Sequence, residues 1–158
     1  MTLYPRNNYG YFVLSIILAM ILRILPLPTS LDTINPDWVL LVLLYWVMIT
    51  PERFGVVNAW TIGLLVDVLT GRLLGQYALA YALACYVCIK LKRLRNYALL
   101  QQSLLIFLIL FLSQAMLFWT ENIQSPTAFQ IAFWLPVITG TVCWPIVSAI
   151  FHSLRLLR

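Results

Sequence analysis

GLLVDVLTGRLLG (residues 63–75) places an ionisable carboxylate in an otherwise apolar stretch that is punctuated by glycines. A small residue or the aspartate recurs at every fourth position, since Gly55 and Ala59 continue the spacing backwards. On a helix this spacing forms one slowly rotating stripe along which another backbone can come close. The segment therefore predicts a helix-packing face that contains one charge, Asp67.

The composition distinguishes a membrane protein from a water-soluble one. The 158 residues are 63% hydrophobic and 9% charged, whereas a typical soluble domain is about 45–50% apolar and about 25% charged. Apolar runs such as 12–22, 39–49 and 104–112 are nearly continuous rather than alternating, which argues against a membrane β-barrel. The sequence therefore predicts an all-α integral membrane protein.

Charged and polar residues divide the chain into six predicted transmembrane helices within a single membrane domain, residues 1–158. The approximate spans are 9–25, 37–50, 54–70, 76–90, 99–119 and 132–152. The second and third spans are short against the roughly 20 residues that cross a hydrocarbon core. The turn at 51–53 favours a tight hairpin between them over one broken helix. Local bilayer thinning, or packing inside the bundle, would accommodate their length.

The distribution of basic residues predicts the orientation. With a cytoplasmic N-terminus, only Arg23 and Arg72 of the ten Lys and Arg residues fall on the outer side. This positive-inside pattern places both termini in the cytoplasm. The basic residues on the inner side are Arg6, Arg53, Lys90, Lys92, Arg93, Arg95, Arg155 and Arg158. Only the run at 90–95 is dense, and it lies in an interhelical loop, so we expect no nucleic-acid binding.

Residues suited to catalysis or metal binding are sparse. The pair Cys85 and Cys88 has the spacing of a redox or zinc motif, but it lies in an apolar span with no further Cys or His nearby. Cys143 and His152 are isolated, and no serine has an activating base at a suitable spacing. We therefore expect no catalytic, cofactor or metal site, and no enzymatic activity.

Asp67 is the exception, because an intramembrane ionisable residue is by default a functional or pairing site. Three roles remain open for it. The carboxylate is solvated at the outer interface near Arg72, or it pairs with Arg72, Arg23 or a group on another chain, or it carries a proton or cation in a transporter. A transporter would need further buried polar groups, which the other spans scarcely provide.

Two further patterns concern the ends of the spans. Pro36-Asp37-Trp38 is a helix-start signal, because Asp37 in the first turn is favoured by the positive end of the helix dipole. Aromatic residues near other span ends fit the belt at the membrane interface. These residues are Tyr9, Tyr11, Tyr77 and Trp119.

Taken together, these features resemble the MreD family of rod shape-determining membrane proteins. The resemblance rests on Pro36-Asp37, LLVLLYW at 40–46, the charged turn at 51–53, GLLVDVLTG at 63–71, and Gly75 before an alanine-rich fourth span. It covers the chain from about Tyr9 to Leu154 in length, span order and polarity, and the distinctive residues lie between Pro36 and Ala84.

The resemblance implies a non-enzymatic inner-membrane protein of the cell-wall elongation machinery of rod-shaped bacteria. It implies direct binding to MreC, with MreB, RodZ, RodA and its penicillin-binding transpeptidase in the wider complex. The fold is expected to be similar to the six-helix substrate-binding subunit of energy-coupling-factor transporters, an analogy that does not carry transport with it. We expect a scaffold that helps position or regulate peptidoglycan synthases. The alternative is a small-molecule transporter subunit, which would need a polar pocket.

The resemblance also implies a set of structural or partner-contact residues without assigned chemistry. These residues are Pro36, Asp37, Gly63, Asp67, Gly71 and Gly75. The cytoplasmic basic loop comprises Lys90, Lys92, Arg93 and Arg95. Membrane lipid is the remaining expected partner.

Overall fold

The computed structural model describes residues 8–26, 28, 33–71, 74–91, 98–124 and 131–156. Within these ranges the chain forms six α-helices and one short 3-10 helix, with no β-strand. The helices in chain order are α1 Asn8–Ile24, α2 Trp38–Ile49, α3 Val56–Thr70, α4 Gln76–Lys90, α5 Leu99–Gln124, the 3-10 helix Ile131–Trp134 and α6 Leu135–Leu156. The predicted all-α fold class is confirmed.

α2 is the central helix of the bundle. It has no polar face, and every residue from Val39 to Val47 is buried. A helix that is apolar on all sides is stable when other helices surround it, and α1, α4 and α6 all pack against α2. Its 12 residues extend about 18 Å, and the neighbouring helices cover its apolar surface.

A cluster of aromatic side chains packs around the C-terminal end of α2. The ring of Phe12 stacks on that of Phe54, with 4.0 Å between the centroids, and meets the edge of Trp46 at 5.9 Å. Phe151 of α6 stacks on Tyr45 at 4.8 Å. These contacts join α1, α2, α6 and the turn that precedes α3.

Two segments are long and apolar enough to cross a membrane by length and composition: Leu100–Ile123 and Ile131–Ser153. Tyr9–Ile24, Trp38–Ile49 and Val56–Thr70 are shorter apolar helices. Large apolar side chains are exposed on the outside of the bundle, among them Leu14 and Leu18 of α1 and Leu104 of α5. An apolar exterior of this kind suits a lipid environment.

Candidate functional site

Asp67 lies near the end of α3 and faces the beginning of α4. Its Oδ2 accepts hydrogen bonds from the backbone N–H groups of Gly75 at 2.8 Å and Ala78 at 3.3 Å. Its Oδ1 accepts one from the backbone N–H of Tyr77 at 2.8 Å. The first N–H groups of a helix lack partners within the helix, and the helix dipole favours a negative charge there. The fully buried carboxylate is therefore a cap that α3 supplies to α4.

Gly63 provides the space for this contact. It precedes Asp67 by one helical turn, on the same face of α3. A Cβ atom at this position would lie 2.6 Å from both the backbone N of Ala78 and the backbone O of Tyr77. Ordinary contacts between non-bonded atoms are about 3.5 Å or longer. Only glycine therefore lets the beginning of α4 come this close to α3.

Gly71 and Gly75 close the turn between the two helices. Gly71 ends α3 with φ 63° and ψ 24°, and Gly75 precedes α4 with φ 109° and ψ −12°. Both conformations lie in the region that glycine adopts without a steric penalty. The term α3–α4 lock denotes the following groups: Gly63, Asp67, Gly71, Gly75 and the backbone N–H groups of Tyr77 and Ala78.

Asp37 caps the beginning of α2 and also binds two other helices. Its Oδ1 accepts a hydrogen bond from the backbone N–H of Leu40 at 3.2 Å, so α2 begins where the Pro36-Asp37-Trp38 pattern predicts. The hydroxyl of Tyr81 on α4 lies 2.7 Å from each carboxylate oxygen. Nη1 of Arg23 on α1 lies 3.3 Å from Oδ1. One carboxylate thus joins α1, α2 and α4.

Arg23 has a second partner in Tyr77. Its guanidinium lies over the Tyr77 ring, 4.6 Å from the centroid, and donates a hydrogen bond to the Tyr77 hydroxyl. The side chains of Arg23 and Asp37 are 20% and 17% exposed. Pairing lowers the cost of placing both charges in a largely apolar bundle. The term polar cluster denotes Arg23, Asp37, Tyr77 and Tyr81.

Tyr77 connects the lock to the polar cluster. Its backbone N–H binds Asp67, whereas its side chain contacts Arg23. The first turn of α4 is consequently held by α3 through the lock and by α1 through the cluster. A shift of this turn would disturb both sets of contacts together.

The structure brings the predicted site residues into neighbouring positions with different roles. Gly63, Asp67, Gly71 and Gly75 form the lock, whereas Asp37 belongs to the polar cluster and Pro36 is buried just before α2. Lys90 is exposed at the end of α4. Lys92, Arg93, Arg95 and Arg72 lie outside the described residues.

Some sequence interpretations need correction. A solvated position for Asp67 is wrong, because the residue has no exposed surface. Arg23, a candidate partner for Asp67, pairs with Asp37. Tyr77 does not belong to an aromatic belt, since it is 5% exposed, whereas Tyr9 is 54% exposed.

Sequence reasoning missed Tyr81. The available signal was its position four residues after Tyr77, which places both phenols on one face of α4. Two phenols on one face of an apolar helix indicate polar partners on the neighbouring helices.

The surroundings of the site contain one small cavity and two buried cysteines. A cavity of about 10 Å³ beside Asp37 reaches Ser113 and Gln114 of α5, which is room for about one water molecule. Cys85 and Cys88 are buried in α4. Among the described residues, no group of three or more His, Cys, Asp or Glu could hold a metal ion.

Comparison with known proteins gives a consistent result. The model of the family described as rod shape-determining protein MreD matches residues 6–154. The chain is 30% identical over 140 residues to a protein of Haemophilus influenzae named "Rod shape-determining protein MreD", covering 88% of this chain and 86% of that protein. No solved structure matches the chain, so the similarity to an energy-coupling-factor subunit stays a prediction.

Proposed function

This chain belongs to the MreD family of rod shape-determining proteins, and from that premise we propose that it is a non-enzymatic scaffold of the cell-wall elongation machinery. In this proposal it binds MreC directly and helps position or regulate peptidoglycan synthases. The observation that carries the proposal is the family match over residues 6–154. MreB, RodZ, RodA and its penicillin-binding transpeptidase would be partners in the wider complex.

The proposed mechanism is the rigid presentation of helix surfaces by a locked bundle. Every hydrogen bond of the Asp67 carboxylate described above comes from a backbone N–H of α4 or of Gly75 just before it. A proton or cation carrier would instead need an accessible carboxylate with further polar groups around it. Complete burial of Asp67 favours a structural role, in which the residue acts on partners by holding α3 and α4 in place.

We place all six helices across the inner membrane in a single domain, with both termini in the cytoplasm. The apolar exterior and the two long helices α5 and α6 support this placement. In this orientation the polar cluster and the α3–α4 lock lie toward the outer side. The exposed Lys90 lies toward the cytoplasm.

No observation favours the alternative of a transporter subunit. The cavity beside Asp37 measures about 10 Å³, whereas sites for small molecules usually measure about 300–1,000 Å³. A small molecule that co-purifies in stoichiometric amount with the wild-type protein would reverse this ranking.

The proposal is tested by complementation in the bacterium that encodes this chain. We expect that cells depleted of the chain become round and that expression of the wild-type chain restores rods. Asp67→Leu is expected to leave the cells round, whereas Gly10→Ala, a change at an exposed position with open space around it, is expected to restore rods. Membrane abundance is measured for each variant. Depleted cells that remain rods would refute the function, and rods with Asp67→Leu would refute the role of Asp67.

A further inference from the structure

The α3–α4 hairpin is short for a membrane-spanning element. Each of its helices contains 15 residues, which corresponds to about 22 Å of helix. The hydrocarbon core of a typical bilayer is about 30 Å thick. Tilting reduces the height of a helix further, so tilt cannot make up the difference.

The α3–α4 lock fixes where α3 ends and where α4 begins. Gly71 and Gly75 end one helix and begin the next, and Asp67 binds the backbone across the turn. At the opposite end, Glu52 and Arg53 are exposed shortly before α3 begins. α3 therefore cannot extend its apolar surface at either end without breaking these features.

The outward face of α3 is apolar between these ends. Val57 and Leu69, near the two ends of α3, are 73% and 50% exposed, and Trp60 and Val68 between them are 49% and 65% exposed. Leu69 follows Val57 by twelve positions, which corresponds to about 18 Å along the helix. Lipid acyl chains beside this face thus meet an apolar band of reduced height.

α5, which packs against α4, presents a taller apolar band. Its exposed apolar residues begin at Leu100 (86% exposed), continue through Leu104 and Leu108, and reach Trp119 (64% exposed) and Ile123 (73% exposed). Leu100 and Trp119 are separated by about 28 Å of helix, which is close to the thickness of a hydrocarbon core. The stretch from Leu100 to Trp119 on α5 is therefore about 10 Å longer than the stretch from Val57 to Leu69 on α3.

We propose that this protein locally thins the bilayer beside α3. In this inference, which rests on the proposed membrane placement, the partner of the exposed α3 face is phospholipid whose headgroups are drawn toward the bilayer centre. The taller band of α5 holds the bilayer at its ordinary thickness beside that helix. The protein thus imposes a difference in bilayer thickness between α3 and α5.

The test measures the membrane depth of four nitroxide labels on the full-length protein. Single cysteines replace Val57, Leu69, Leu100 or Trp119 in a background in which the native cysteines are alanine. The proteins are reconstituted in dioleoyl phosphatidylcholine and phosphatidylglycerol vesicles, and depth is read from collisions with oxygen and with an aqueous nickel chelate. We expect all four labels at headgroup depth.

A bilayer of uniform thickness would give a different pattern. Because the α3 pair is about 10 Å closer together than the α5 pair, its labels would lie on average about 5 Å deeper in the hydrocarbon. That result would overturn the inference. If the α5 labels were both in water, the membrane placement itself would fail. If the depths agreed with thinning but the chain did not restore rods, the function would fail and the inference would stand.

The unlabelled wild-type protein provides a second readout that needs no cysteine substitutions. Its thermal unfolding midpoint is measured in dimyristoleoyl, dioleoyl and dierucoyl phosphatidylcholine. We expect the midpoint to be lower in the erucoyl lipid than in the oleoyl lipid, since the short α3 face is most mismatched in the thickest bilayer. A midpoint that rises toward the erucoyl lipid would contradict thinning.

Discussion

Replacement of Gly63 by alanine should break the α3–α4 lock without altering a polar group. The new Cβ would lie 2.6 Å from backbone atoms of Tyr77 and Ala78, where an ordinary contact needs about 3.5 Å. The first turn of α4 must therefore move by about 1 Å. This movement would lengthen the two hydrogen bonds to Asp67 that now measure 2.8 Å beyond the usual limit of about 3.2 Å.

The expected loss of stability follows from these contacts. Overpacking costs about 1–3 kcal/mol, and hydrogen bonds to a charged group contribute about 1.5–3 kcal/mol each. Because the helix shift relieves part of the clash, the two terms do not add fully, and we expect Gly63→Ala to lower the free energy of unfolding by about 2–4 kcal/mol. The assay is reversible unfolding by SDS in mixed detergent micelles.

Gly10→Ala is the matched control, because a Cβ at Gly10 of α1 would meet nothing within 4 Å. It should leave stability unchanged or raise it by up to about 1 kcal/mol. Since Gly63→Ala already weakens the hydrogen bonds of Asp67, the double variant with Asp67→Asn should cost less than the sum of the two single variants. A Gly63→Ala protein within about 0.5 kcal/mol of wild type would refute the reasoning.

Three further changes test other contacts. Asp67→Asn replaces one acceptor oxygen by a donor that faces backbone N–H groups, so we expect a loss of about 1–3 kcal/mol in the same unfolding assay, and faster amide exchange in the first turn of α4. Gly75→Ala places a side chain at φ 109°, and a cost of about 1–3 kcal/mol is expected from unfolding midpoints. Tyr81→Phe removes the hydroxyl bound to Asp37, with an expected loss of about 1–3 kcal/mol, whereas Tyr86→Phe, at a 50% exposed position, should change stability by less than about 0.5 kcal/mol.

Local patterns were sufficient to predict much of the fold. Apolar runs bounded by charges predicted six helices, and the Pro36-Asp37-Trp38 pattern predicted the beginning of α2. Four-residue spacing from Gly63 to Gly75 predicted a close backbone approach. These features depend on residues near one another in the chain, so sequence patterns are informative about them.

The partners of the charged groups could not be predicted in the same way. Asp37 meets Tyr81 on another helix, 44 positions along the chain, and Arg23 contacts Tyr77, 54 positions away. Such contacts depend on which helices are neighbours in the bundle. Helices such as α2 have no polar face, so their sequences do not indicate which side meets which neighbour. For this reason the prediction that Tyr77 belongs to the aromatic belt was wrong, since its side chain lies inside the bundle.

Recovery of MreC with the purified chain tests the central claim most directly, namely that the α3–α4 lock supports a scaffold that binds this partner. Wild type, Gly63→Ala and Gly10→Ala are purified from membranes in mild detergent, and MreC is quantified per molecule of recovered protein. We expect Gly10→Ala to retain the wild-type ratio and Gly63→Ala to lower it several-fold. Equal MreC ratios for all three proteins, with Gly63→Ala destabilised as expected, would contradict the claim that the lock supports partner binding.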